Sequence, residues 1–181
     1  VSHLAFFDDA AVRSATDPEG FTAEVVPKLA DGTISPDTIA AQYRAMPGAE
    51  LLAWFDGARA ALVTAFARIE PSVRVPWFGP PMSAASSLTA RIMETWAHGQ
   101  DVADGLGRTR PPSSRLRHVA HIGVGARAFS YLANGREVPT EPVRVELTAP
   151  DGSRWTWGAE GAPDRVSGPA LDFCLLVTQR R

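Results

Sequence analysis

The stretch MSAASSLTARIMETWAHGQDVADGLG, residues 82–107, places a carboxylate and an imidazole four positions apart, at Glu94 and His98. On a helix that spacing puts both side chains on one flank, one turn apart. Two chemistries fit. One is a solvated polar stripe in which Arg91 and Glu94 pair three apart, contributing roughly 0.3 kcal/mol. The other is convergence of both side chains on one cation, as Glu and His do in helix-bundle metal sites. Two ligands are too few, so a third must come from another helix. His3, in VSHLAFFDDAAV, is the candidate, because it sits beside Phe6, Phe7 and Ala10 on a face expected to pack inward. An imidazole on an apolar face also serves as an ordinary core residue, so both readings of His3 stand on the pattern alone.

The remaining chemistry-bearing residues offer less. His118 and His121 lie three apart, but Arg115 and Arg117 surround them with positive charge, and they are expected to make interhelix or loop contacts. Cys174, in DFCLLV, reads as a small buried hydrophobe. Being the only cysteine, it excludes an internal disulfide and a Cys-rich zinc site, and it fits a reducing cytoplasm, the expected location. No nucleophile elbow, phosphate-cradling glycine loop or dinucleotide fingerprint is present.

The bulk numbers set bounds. The 181 residues are 45% hydrophobic and 21% charged, globular values with length enough for a core. The net charge is −2 and carries no block of like charges, so neither a nucleic-acid footprint nor a nucleic-acid partner is expected. No apolar run reaches membrane-spanning length, so no membrane partner is expected either. The chain opens at Val1 directly into an amphipathic pattern and closes at TQRR after an apolar run, so flanking residues are expected at both ends.

Several elements must position these groups. Residues 2–14 read as a helix with Ser2 as its N-cap, and TDPEGF (16–21) as a turn. ADGTISPDT (30–38) is a loop whose Ser35-Pro36 or Asp37 caps the next helix. Apolar residues then recur at three and four up to Ile69, with a break at Met46-Pro47-Gly48 and a long helix from Ala49. Residues 70–83 are too proline-rich for a helix or a central strand and read as an ordered connector anchored by Trp77 and Phe78. In the helix that follows, Leu88, Ile92, Gly99, Val102, Ala103 and Leu106 form the expected apolar face. Ser87, Arg91, Glu94 and Asp101 lie on the polar flank, with His98 near its edge.

A further helix is expected over 114–133. After Gly135 the period becomes two: Val143, Val145 and Leu147 alternate with polar residues, Asp151-Gly152 turns the chain, and Arg154-Trp155-Thr156-Trp157 alternates back. Trp155 and Trp157 are expected to cover the sheet. Arg165-Val166 reads as a third strand and Ser167-Gly168-Pro169 as the start of a closing helix. The fold class is therefore mainly α with an α+β C-terminal module: a helical bundle, then a small antiparallel sheet and a helix.

VSHLAFFDD together with VPWFGPPMSAASSLTARIMETWAHGQDVADGLG resembles the actinobacterial metal-binding proteins related to mycothiol-dependent maleylpyruvate isomerase, within the DinB-like four-helix bundle superfamily. The tail VRVELTAPDGSRWTWG…DRVSGPALDFCLLVTQRR resembles the wyosine-formation-like C-terminal module of the same group. The resemblance implies a DinB-like bundle over 1–136, without the family's first helix, and a small α+β module over 137–181, itself cut short. It implies the metal ligands His3, Glu94 and His98, with Asp101 behind His98. It implies a divalent cofactor, zinc suiting two imidazoles and one carboxylate best, with nickel or iron as alternatives. It further implies mycothiol as co-substrate, and as partners a small thiol and an electrophile in an isomerase or S-transferase reaction. The rival expectation is a non-catalytic metal- or ligand-binding module of the stress-response kind. The family resemblance supplies no catalytic residue and no thiol-binding residue for this chain.

Overall fold

The computed structural model describes the backbone of residues 1–181 and every side chain except that of Ala30. The chain forms two compact units, Val1–Arg91 and Ile92–Arg181. In the first, α1 (Ser2–Thr16) packs against α5 (Gly48–Phe66). Ala11, Leu62, Phe66, Val75 and Ala84 are buried together there. A second cluster gathers Ala10, Phe21, Val25, Ile34 and Ile39, with Phe6, Phe7, Trp77 and Phe78 packed on it. The rings of Phe21 and Trp77 stack 6.2 Å apart at 9°, so the aromatic anchor expected in the proline-rich connector is present. Ser14 also holds that connector, its hydroxyl donating to the Pro76 carbonyl.

Residues 18–30 include the last four positions of the turn expected over 16–21, and they do not form it. They are helical: α2 (Pro18–Gly20), a π-turn (Phe21–Val25) and α3 (Val26–Ala30). The prolines do not break these pieces because each sits in a first turn, where its missing N–H has no helical partner to lose. Asp17 caps the first piece by accepting from the Gly20 N–H at 3.0 Å. At the other end of this segment, α4 (Pro36–Gln42) starts at a Ser35–Thr38 capping box, as the Ser35-Pro36 signal implies. Pro47 precedes α5, which stops at Phe66, three residues before Ile69. Ser2 lies inside α1 and is not its cap, a role that falls to Val1. Within the connector, β1 (Arg74–Val75) and β2 (Met82–Ser83) pair antiparallel. α6 (Ala84–Gly105) follows and runs through the boundary between the two units.

In the second unit the expected helix over 114–133 is divided into α7 (Leu116–Gly125) and α8 (Arg127–Ala133). Gly125 weakens the helix and Ala126, with ψ at −4°, leaves the helical path. β3 (Val143–Thr148) and β4 (Arg154–Trp157) form the expected hairpin, with Val145 opposite Trp157 and Leu147 opposite Trp155. Gly152 takes a φ of 82° at the turn, which favours glycine. The third strand, β5 (Asp164–Pro169), runs parallel to β3, so the sheet is mixed and not antiparallel throughout. A short connection over 158–163 suffices because β4 ends at the same end of the sheet where β5 begins. β5 continues through Ser167 and Gly168, and α9 (Ala170–Val177) begins only after Pro169. Leu116, Val119, Ala120, Val145, Leu147, Trp155 and Cys174 form the core of this unit. Among the described residues no helix is long and apolar enough to cross a membrane.

Candidate metal centre

The burial of α6 departs from the amphipathic wheel. Val102 and Leu106, read as apolar-face residues, are 56% and 70% exposed, whereas Ser87 and Arg91, read as solvated, are 1% and 3% exposed. For Arg91 the partner that permits burial is a carboxylate on α1. Asp8 is fully buried and accepts from Arg91 Nε and from Arg59 Nε, each at 2.8 Å. A second nitrogen of Arg91 donates to the Leu4 carbonyl at 3.3 Å. These charge-assisted bonds compensate the desolvation of Arg91 and tie α1 and α5 to the start of α6. Sequence reasoning missed Asp8 and Arg59. The signal was there for Asp8, a carboxylate falling within the helical stripe of Leu4 and Ala11.

Further along α6, Glu94 and His98 meet as the four-residue spacing requires, with His98 Nε2 3.3 Å from a Glu94 carboxylate oxygen. The other ring nitrogen, Nδ1, lies 3.0 Å from Asp101. Both imidazole nitrogens therefore face carboxylates, which raises the His98 pKa above its ordinary value, the Glu94 hydrogen bond being the largest cause. Asp101 is itself gripped by Arg180, which donates from Nε at 2.9 Å and from Nη2 at 2.7 Å. That guanidinium holds the Asp101 carboxyl below its usual range, with His98 adding to the effect.

His3 is half-buried on α1, its ring 4.7 Å from that of Phe7 and tilted by 52°. His3, Glu94 and His98 each offer one ligand atom, and these atoms lie within 4.8 Å of one another. The donor set suits a cation. When Asp101 accepts a hydrogen bond from the Nδ1–H of neutral His98, the Nε2 lone pair faces an anionic oxygen, and two acceptors in that position call for a proton or a metal between them. Two imidazoles and one carboxylate match the three-ligand sets of zinc sites that keep a position open.

The rivals fare differently. Among the described residues no ligand group includes His118 or His121. His118 is exposed, and His121 Nδ1 accepts from Trp157 Nε1 at 3.2 Å. Burial pushes the Cys174 thiol up to about 12, which keeps it protonated and inert.

Residues 1–103 match the model of the mycothiol maleylpyruvate isomerase N-terminal domain. The chain belongs to that family. Residues 139–181 match a second family model, described as wyosine base formation. Two uncharacterised proteins of Mycobacterium tuberculosis, one from each of two strains, are each 44% identical to it over 181 residues, covering 100% of this chain and 70% of the relative. No solved structure matches. A mycothiol-related family of actinobacterial distribution is what the quoted sequence motifs imply, and the matched residues contain His3, Glu94, His98 and Asp101.

Proposed function

We propose that His3, Glu94 and His98 hold a divalent cation, zinc by the chemistry of the donor set, and that the chain serves a thiol-dependent isomerase or S-transferase. The thiol is mycothiol or a close analogue, and its partner substrate is a small electrophile. The observation that carries this reading is the approach of three ligand atoms to within 4.8 Å. With a divalent ion, two neutral imidazoles and one carboxylate leave a net single positive charge, which favours an anionic fourth ligand.

A bound divalent ion supplies acidity: it favours the thiolate of a group whose ordinary pKa is about 8.5, and a lowering of two units corresponds to about 2.7 kcal/mol. The side chains do the rest. Glu94 supplies the anionic ligand and His98 a neutral one, oriented by Asp101 on its far nitrogen. Because a less basic thiolate is also a weaker nucleophile, much of the rate gain must come from holding thiol and electrophile in register.

Elemental analysis of the purified protein tests the ligand set. His98→Ala should leave a folded protein with sharply reduced metal content, and His118→Ala should retain the wild-type content. Equal loss in both variants, or in neither, refutes the assignment. The thiol step is read separately, in cobalt-substituted protein containing all 181 residues, where added mycothiol should produce a sulfur-to-metal charge-transfer band. A metal-loaded protein whose spectrum ignores millimolar thiol would favour a non-catalytic binding module.

A further inference from the structure

Arg180 lies 79 positions beyond Asp101 in sequence, yet its guanidinium meets that carboxylate as a two-pronged fork, Nε on one oxygen at 2.9 Å and Nη2 on the other at 2.7 Å. We infer that Arg180 is a positioning residue for the cation site: acting through Asp101, it fixes which nitrogen of His98 is presented to Glu94. The inference rests on the reading of His98 as a ligand and adds to it a role for the residues that follow α9.

The backbone around Arg180 is arranged to aim it. After α9, Gln179 takes a φ of 61°, in the left-handed region. The Arg180 N–H then donates to the Leu175 carbonyl at 2.8 Å, and the Gln179 N–H to the Leu176 carbonyl at 3.0 Å. That pair of bonds is a Schellman closure, and it turns the chain sharply back at the helix end. A further guanidinium nitrogen of Arg180 donates to the Thr178 carbonyl. Thr178 is itself buried and donates its hydroxyl to the Cys174 carbonyl at 2.7 Å. The guanidinium is thus held by its own helix end before it reaches Asp101.

Asp101 needs such a hold. Its side chain is 44% exposed, and that of Arg180 is 21% exposed. A carboxylate that open to water samples several rotamers unless both oxygens are engaged. With the fork in place, the oxygen bonded to Nη2 also lies 3.0 Å from His98 Nδ1. Asp101 is acceptor-only when ionised, so it selects the tautomer with the proton on Nδ1 and leaves the Nε2 lone pair on the Glu94 side. Lysine cannot reproduce this, because an ammonium is a point donor and not a planar fork.

The test uses the whole chain with zinc alone as probe, its affinity read by competition with a chromophoric chelator. Arg180→Met is expected to weaken zinc at least about tenfold, the usual scale for loss of a group behind a metal ligand. Arg180→Lys should fall between Met and wild type. Asp101→Ala should lose as much as Arg180→Met, and the double variant no more than either. A second readout needs no metal: the imidazole nitrogen shifts of His98 at alkaline pH should report a proton on Nδ1 in the wild type and a mixture of tautomers in Arg180→Met. Wild-type zinc affinity in Arg180→Met, or fully additive losses in the double variant, overturns the inference. If the wild type binds no zinc, the cation reading falls, and the nitrogen shifts alone decide: identical shifts in the variant overturn the role of Arg180. Should Arg180→Met fail to fold, Arg180→Lys gives the same discrimination.

Discussion

Replacing Asp8 should reveal how much of the first unit depends on one buried charge network. Its carboxylate has no exposure and accepts two guanidinium bonds of 2.8 Å, one from Arg91, whose side chain is 4% exposed, and one from Arg59, whose side chain is 29% exposed. Asp8→Ala removes a carboxylate that accepts from the buried Arg91 guanidinium, and breaking a pair of this kind costs about 3–5 kcal/mol. Arg59 can recover hydration, so the loss of its bond adds little. Arg59→Met should accordingly cost about 1 kcal/mol, since Asp8 keeps Arg91 and the lost partner is partly in water. Arg91→Met should cost more, about 2–4 kcal/mol, because the carboxylate then keeps only the more exposed guanidinium. Against a total stability of about 5–15 kcal/mol, the Asp8→Ala loss is severe. At about 2–4 °C per kcal/mol for a chain of this size, Tm should fall by about 6–20 °C. Thermal unfolding followed by circular dichroism, with urea titration at fixed temperature, measures the series. A fall of less than about 3 °C for Asp8→Ala, or a larger cost for Arg59→Met than for Arg91→Met, would refute the reasoning from burial.

Other outcomes follow from single positions. The Cys174 thiol, raised by burial from an ordinary 9.0 to about 12, stays protonated in the folded chain over a range in which the unfolded chain ionises. Above pH 9 the unfolded state therefore binds fewer protons, and stability should fall with rising pH by up to about 1.4 kcal/mol per unit. Cys174→Ala should flatten that slope in urea titrations between pH 9 and 11, and alkylation of the native thiol at pH 8 should be far slower than in urea. Gly158 has a φ of 81°, and a Cβ there would run into the Val143 carbonyl. Gly158→Ala should cost about 1–3 kcal/mol in the same unfolding assay. Gln179→Gly should stabilise by about 0.5–1 kcal/mol, because glycine adopts its left-handed conformation without a Cβ clash. A Tm unchanged or lowered by that substitution would count against the closure geometry at the end of α9.

What the sequence disclosed and what it withheld divide along the range of the forces involved. Spacing of three and four placed α1, α5 and α6, and period two placed the β3–β4 hairpin, since in each case neighbours within one element decide the pattern. The Glu94–His98 meeting is legible for the same reason: four residues on one helix allow little else. The turn expected over 16–21 gives way to helix from Pro18, because Pro18 and Gly20 count as breakers until their place in a first turn is known, and that place depends on the burial of Phe21 and Val25. The parallel pairing of β5 depends on a free edge of β3 that no local pattern marks. The charged residues were hardest. Arg91 finds Asp8 83 positions away and Arg180 finds Asp101 79 positions away, so each looks like an ordinary solvated arginine in its own segment. Burial of charge requires a partner, and that requirement can be turned into a reading rule. An arginine or aspartate standing within a stripe of otherwise buried positions, as Asp8 stands between Leu4 and Ala11, predicts an opposite charge brought from far along the chain.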